Sequence, residues 1–267
     1  MRLDYDIPAV GRLGDPRVWA VPLLAAAALL IVAMGDNNLA LFRFLNGWGA
    51  VTGDSVWAAL TVLGDTVVAL TLLAPFIGRR PDIIRAAVVA AVLATLYVHG
   101  LKDLLALPRP PALLDAATLH IIGPAFKAGS FPSGHTTTIF TLAGVVALHF
   151  PGRWHTRSLA VLALLVGLSR SVVGVHWPVD VLAGAGGGWL AAVAGTWIAR
   201  RWAWGLSGRA QALFAVLLLG CAATLLVGQK TGYGVENWQR LIAVVCLLPP
   251  LLRLFARRGA ATPGHFQ

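Results

Sequence analysis

Three short stretches hold most of the side chains in this sequence that can do chemistry. They are Lys102-Asp-Leu-Leu-Ala-Leu-Pro-Arg109-Pro110, then Phe131-Pro132-Ser133-Gly134-His135, then Ser169-Arg170-Ser-Val-Val-Gly-Val-His176-Trp-Pro-Val-Asp180. Together they gather three cations and two histidines, with Ser133 and Asp180 beside them. Charges set among apolar runs are expensive beside a bilayer and usually face a pocket or a water-filled path. The chemistry this set suits is the handling of an anion.

In the middle stretch, Ser133 precedes an apolar run and can cap a helix, so that the free amides of the first turn point outward. Such a helix start binds anions, and Gly134 lets an anion come close to the backbone. His135 in that turn can donate a proton to a leaving oxygen. An ordinary capped helix with an interfacial histidine fits the same residues. In the third stretch His176 and Asp180 are four apart, a spacing that lets them meet on one helix face, and Pro178 suits the first turn. A carboxylate on one imidazole nitrogen fixes the tautomer and frees the other nitrogen to attack; a structural His–Asp hydrogen bond would look alike. The planar guanidinium of Arg170 suits a bidentate grip on phosphate. Lys102 and Arg109 alone could be snorkelling residues at a span end.

The rest of the chain must position these groups. Only 12% of its 267 residues are charged and 58% are hydrophobic, where a soluble domain carries about 25% charged residues. The apolar residues lie in runs of roughly 15 to 20, long enough for membrane helices. The formal charge of +10 would suit nucleic acid, but no hydrophilic domain displays it, and no nucleic-acid partner is expected. Eight spans are predicted, over residues 18–35, 64–78, 83–101, 133–150, 158–175, 179–199, 210–228 and 241–256, the last interrupted by Pro249-Pro250. Residues 36–63 read as one or two short helices lying in the interface, and 102–132 are too polar and proline-broken to span. The small residues Gly184, Gly186, Gly187 and Gly188 suit close helix approach rather than a phosphate loop. A retained first span, not a cleaved signal peptide, is expected. Cys221 and Cys246 read as buried apolar thiols.

If the N-terminus is cytoplasmic and every span crosses, 14 of the 21 Lys and Arg residues fall inside and 7 outside. That bias places both termini in the cytoplasm and the three stretches on the outer face. Trp48, Trp57, Trp177 and Trp238 near outer ends and Trp19, Trp154, Trp197, Trp202 and Trp204 near inner ones make an aromatic belt, with Trp189 the exception. Asp103, Asp115, His120 and Lys127 could tune headgroup choice but read first as a solvated loop; His99, one turn before Lys102, could line a pocket but reads first as a packed histidine; His149, His155 and His265 read as cytoplasmic and incidental.

Taken together, Lys-x6-Arg-Pro, Pro-Ser-Gly-His and Ser-Arg-x5-His-x3-Asp resemble the phosphatidic acid phosphatase type 2 family, of the superfamily shared with class A acid phosphatases and vanadium haloperoxidases. The likeness covers about residues 18–199. It implies that Lys102, Arg109 and Arg170 neutralise a phosphate, with hydrogen bonds from Ser133 and the Gly134 amide. His176 would be the nucleophile that becomes phosphohistidine, Asp180 its orienting carboxylate and His135 the general acid, with water releasing phosphate. Phosphoryl transfer chiefly needs positioning and charge stabilisation, which three fixed cations can supply. No acidic cluster of the kind Mg²⁺ prefers lies nearby in sequence, so neither metal nor other cofactor is expected.

The expected architecture is an all-α, polytopic membrane helix bundle. Residues 1–204 form a six-span phosphatase core with its cytoplasmic N-terminal segment, and 205–267 add two spans and a short tail. The expected activity is hydrolysis of a lipid phosphate or diphosphate at the periplasmic face of a bacterial inner membrane. Undecaprenyl diphosphate comes first as substrate, followed by phosphatidylglycerol phosphate and lipid A phosphates. Membrane lipids are the expected partners. A lipid phosphotransferase would pass the phosphoryl group to a second lipid. An anion transporter would use the cations only for binding, but no pair of broken spans at midplane supports it.

Overall fold

A computed structural model describes residues 15–150 and 152–260. Arg2 and Arg12 of the expected N-terminal segment, Pro151 at the end of the fourth expected span, and His265 lie outside the described residues. So do the side chains of Arg17, Arg257 and Arg258.

The chain folds as a bundle of helices, and every regular element among the described residues is helical. Helix α1 (Pro16–Ala33) is followed by a 105° bend into α2 (Asn37–Thr52). Gly35 makes the corner at φ +56, a conformation that costs glycine little. Helix α3 (Asp54–Thr61) continues through a 3₁₀ turn, Val62–Gly64, to a break at Asp65. The Asp65 carboxylate caps α4 (Thr66–Thr71) by accepting from Val67 and Val68 amides. The expected continuous span over 64–78 is therefore corrected to a segment that starts at residue 54 and bends by 66°. Its cause is local: an extended Asp65 stops one helix and starts the next.

Helix α5 (Pro81–Leu105) ends where Ala106 turns left-handed, and α6 (Pro110–Leu113) is a single turn. An irregular stretch then leads to α7 (Gly134–His149), α8 (Arg153–Val172) and α9 (Pro178–Arg201). Helices α10 (Gly208–Val227) and α11 (Glu236–Ala260) complete the chain. The expected interruption at Pro249-Pro250 is corrected too, because α11 runs on through both prolines. Beyond them, Arg253 donates to the carbonyls of Ile77 and Pro75 and ties the helix to its neighbour.

By length and apolarity α5, α9 and α10 can each cross a membrane, and each of the two bent pairs has the composition of one crossing. The bundle's outside is apolar. Leu23, Leu24, Leu30 and Ile31 of α1, Leu213 and Val216 of α10, and Val244 and Leu248 of α11 are exposed, as lipid-facing side chains are. Helix α9 is the axis. A Cβ on Gly188 would lie 2.3 Å from the Thr137 carbonyl, and one on Gly195 2.6 Å from Ala90. Only glycine permits these approaches to α7 and α5. Trp189, the residue that did not fit the belt, is buried in this core and donates to the Val18 carbonyl at 2.7 Å.

Helices α10 and α11 pack Leu225, Ile242, Ala243 and Cys246 against Val68 and Ala74 of the broken segment. Ala210, Phe214 and Leu218 of α10 also join the cluster formed by α5 and α9.

Candidate active site

Helices that alternate in direction bring alternate ends together, and this places the three stretches at one end of the bundle. Lys102 sits in the last turn of α5, Ser133 to His135 open α7, Arg170 lies in the last turn of α8, and His176 and Asp180 flank the start of α9. The two parallel helices α7 and α9 are joined at this end by the Ser133 amide, which donates to the Asp180 carbonyl at 3.0 Å.

Asp180 is the hub. It is the third residue of α9, and its Oδ2 accepts from the backbone N–H of Trp177 just before the helix, at 2.9 Å. The same oxygen accepts from Ser130 Oγ at 2.5 Å and from His176 Nδ1 at 3.1 Å. With Nδ1 donating, His176 presents Nε2 as its lone-pair nitrogen. The His176 amide donates to the Arg170 carbonyl, and its own carbonyl accepts from Ser171 Oγ. Backbone and ring are thus both held. The side chain is 2% exposed. Burial first, then the charges of Arg109, Arg170 and Lys102, then His135, hold this imidazole well below its ordinary pKa. A neutral imidazole is the form whose free nitrogen can attack an electrophile.

Ser133 is buried and caps α7 by accepting from the Thr136 amide at 3.4 Å and from Thr136 Oγ1 at 2.9 Å. Its own hydroxyl hydrogen stays available. Arg109 returns from beyond Ala106, and three carbonyls fix it: Nε donates to Ala128 at 2.8 Å, Nη2 to Gly129 at 3.2 Å and Nη1, more loosely, to Val175 at 3.5 Å. Arg170 is 1% exposed and its Nη1 donates to Thr61 Oγ1 and to Tyr233 Oη. Its Nε is buried and has no partner among the described residues.

Lys102, Gly134 and His135 line one end of a cavity of about 230 Å³. It continues between α4, α5 and α7 past Ala94, Ala91 and Ala87 to Leu70 and Leu73. Gly64 packs on His135 so closely that a Cβ there would lie 2.8 Å from His135 Cβ. His99 is exposed and lines this cavity, so the expectation of a packed histidine is corrected.

All eight residues singled out from the sequence therefore sit at this end: Lys102, Arg109, Ser133, Gly134, His135, Arg170, His176 and Asp180. Of the loop residues, Lys127 touches this set through its backbone, its carbonyl accepting from the Arg109 amide at 2.9 Å. His120 pairs with Asp54 at 2.7 Å, Asp115 caps its own turn, and Asp103 and Lys127 are exposed. Sequence reasoning missed Ser130, Thr61 and Tyr233. Ser130 adjoins a recognisable stretch and could have been suspected. Thr61 and Tyr233 carry no spacing signal at all. Among the described residues no three His, Cys, Asp or Glu side chains converge as metal ligands.

Comparison with known proteins gives four results. The family model described as PAP2 superfamily matches residues 83–204. The undecaprenyl-diphosphatase BcrC of Bacillus subtilis is 31% identical over 150 residues, 54% of this chain and 75% of that protein. A lipid A 1-phosphatase of Rhizobium etli is 48% identical over 61 residues, 22% of this chain and 25% of that one. Among solved structures, LpxE of Aquifex aeolicus matches with TM-score 0.53 and 31% identity, over 61% of this chain and 94% of that chain.

Proposed function

Since the chain belongs to the PAP2 superfamily and is a membrane-embedded lipid phosphatase, we propose that it hydrolyses a lipid diphosphate through a phosphohistidine on His176. Undecaprenyl diphosphate is the first substrate. The observation that carries this reading is the charge balance of the site. Three cations, Lys102, Arg109 and Arg170, face one carboxylate, Asp180, in a largely buried space. Like charges gathered out of water repel strongly. A phosphate dianion between them removes that repulsion and supplies an acceptor for the idle Arg170 Nε.

The steps follow from the geometry. The cations, the Gly134 amide at the start of α7 and the Ser133 hydroxyl hold the equatorial oxygens. His176 Nε2 attacks phosphorus in line with the leaving oxygen, and Asp180 stabilises the cation that forms on the ring. His135, which carries a proton once the negative charge of the substrate offsets the surrounding cations, protonates the leaving lipid phosphate as the P–O bond breaks. It then takes a proton from the water that attacks the P–N bond, releasing inorganic phosphate and restoring the imidazole. No step calls on a metal. The cavity from Lys102 toward Leu73 suits the first carbons of a lipid chain whose remainder stays in the bilayer.

The charge bias of the loops supports a periplasmic site in a bacterial inner membrane with both termini cytoplasmic. The family match, which ends at residue 204, supports the division into a six-span core over 1–204 and an added pair of spans over 205–267. The resemblance to a lipid A 1-phosphatase favours a second substrate class, a phosphorylated saccharolipid. Purified protein in EDTA is expected to release phosphate from undecaprenyl diphosphate, and His176→Ala to abolish release. Lipid A in the same panel ranks the two classes, and full activity of His176→Ala removes the assigned nucleophile.

A further inference from the structure

The connection between α10 and α11 reaches the phosphate site from outside the matched family segment. It is seated firmly. A Cβ on Gly232 would lie 2.6 Å from Pro124, and one on Gly123 would lie 2.6 Å from the Tyr233 ring, so the loops over 123–124 and 232–233 interlock. Tyr233 and Val235 pack on the cluster of Trp57, Ile122, Val172, Val173 and Val175. From this seat the Tyr233 hydroxyl accepts from Arg170 Nη1 at 2.8 Å, while Thr61 Oγ1 takes a second hydrogen bond from the same nitrogen.

A guanidinium can grip phosphate with two parallel N–H groups, along its end or along its Nε–Nη2 edge. Thr61 and Tyr233 occupy both hydrogens of Nη1, which removes the end-on option. Nε, on the remaining edge, is buried and without a partner among the described residues. We propose that Tyr233 is a positioning residue for the phosphate site: with Thr61 it pins Nη1 of Arg170, so that the guanidinium offers its Nε–Nη2 edge to the substrate phosphate. The proposal rests on the phosphatase reading above and deepens it. It also gives the C-terminal helix pair a task, since α10 and α11 deliver Tyr233 to a site whose chemistry lies elsewhere in the chain.

The test uses the full chain in detergent, with phosphate release from a lipid diphosphate and inhibition by orthovanadate, a phosphate mimic. Removing a hydrogen bond to a charged group costs about tenfold or more in affinity. Tyr233→Phe is expected to lower kcat/KM by about tenfold and to weaken orthovanadate inhibition by a similar factor, with an unchanged thermal midpoint. In an Arg170→Lys background, which has no Nη1 to pin, Tyr233→Phe is expected to add nothing. Wild-type values for both kcat/KM and inhibition in Tyr233→Phe overturn the proposal, as does an undiminished loss in the Arg170→Lys background. If Tyr233→Phe lowers the midpoint, Thr61→Val decides, because it frees the same nitrogen from the other side and carries the same expectations. A wild-type protein that releases no phosphate and is indifferent to orthovanadate overturns the phosphatase reading, and this proposal with it.

Discussion

Asp180→Asn separates the charge of Asp180 from its shape. The wild-type Oδ2 accepts three hydrogen bonds, from Trp177 N, Ser130 Oγ and His176 Nδ1. An asparagine oxygen can keep the first and much of the second, so the start of α9 survives. In the proposed mechanism, what is lost is attraction for the positive charge that would grow on His176 as it takes up the phosphoryl group. A unit charge pair at the 3.1 Å between Nδ1 and Oδ2 is worth roughly 5 kcal/mol at an effective dielectric of about 20. With about half the charge developed in the transition state, roughly 2.5 kcal/mol disappears, so kcat falls by nearly a hundredfold. KM moves little, because the ground-state imidazole is neutral. Steady-state phosphate release gives kcat, and rapid acid-free quenching gives the rate at which the phosphoenzyme forms. Ser130→Ala is the control: it removes one hydrogen bond to the same oxygen but keeps the charge that acts on His176, so its loss of kcat is expected to be smaller than that of Asp180→Asn. An Asp180→Asn enzyme within about threefold of wild type, a loss confined to KM, or equal losses in the two variants would refute the argument that the charge matters.

Gly64→Ala places a Cβ 2.8 Å from both the Cβ and the carbonyl oxygen of His135, so the first turn of α7 must shift. The displaced acid is expected to cost between about ten- and a hundredfold in kcat while the thermal midpoint shows a folded protein; an unaffected kcat would mean His135 is not held by this contact. The sign of the His176 shift fixes a pH effect on stability. Its folded pKa lies below the ordinary value of about 6.5, so below that pH the unfolded chain binds a proton the native state refuses. The stabilising contribution is complete above about pH 6.5 and is lost as pH falls toward the folded pKa. The thermal midpoint in detergent is expected to drop on acidification and to drop less in His176→Gln; equal slopes would contradict the assignment.

What the sequence disclosed and what it hid differ in a physical way. Ser133, His176 and Asp180 were legible because helix starts are local: a cap, a proline at the first position and an i, i+4 pair are all set by neighbours in the chain. The long apolar helices were legible for the same reason. Missing were events that depend on distant surfaces. The bend at Asp65 looks like part of one apolar run, because a capping aspartate changes hydropathy little. Helix α11 passes through Pro249 and Pro250, where the sequence suggested a break. Thr61 and Tyr233 are joined to Arg170 across 109 and 63 residues, and no periodicity can report that. His99 was misjudged because an exposed histidine beside a cavity and a packed one have the same spacing from Lys102.

The structural and the chemical accounts of the His-x3-Asp spacing turn out to describe one oxygen. Pro178 opens α9, which makes Trp177 the residue with a free amide at the helix start and Asp180 the third residue of the helix, where a carboxylate can reach back to that amide. His176, one step further out, is then brought against the same carboxylate with no separate device. The start of α9 projects a partial positive charge that one carboxylate stabilises, and the start of α7, parallel to it and tied to it through the Ser133 amide, projects another. Two like-directed helix starts and three cations with a single acid among them make a site short of negative charge. The fold sustains this because glycines along α9 let α7 approach to where a methyl group would clash, fixing the two starts together. Packing in the core of the bundle thus decides where this cationic site sits at its end. It also predicts that substituting Gly184, whose Cβ would lie 2.8 Å from the Ser133 carbonyl, should damage phosphate binding before it unfolds the protein. A rise in KM with a nearly unchanged thermal midpoint for Gly184→Ala would support this, and a fall in midpoint with KM unmoved would count against it.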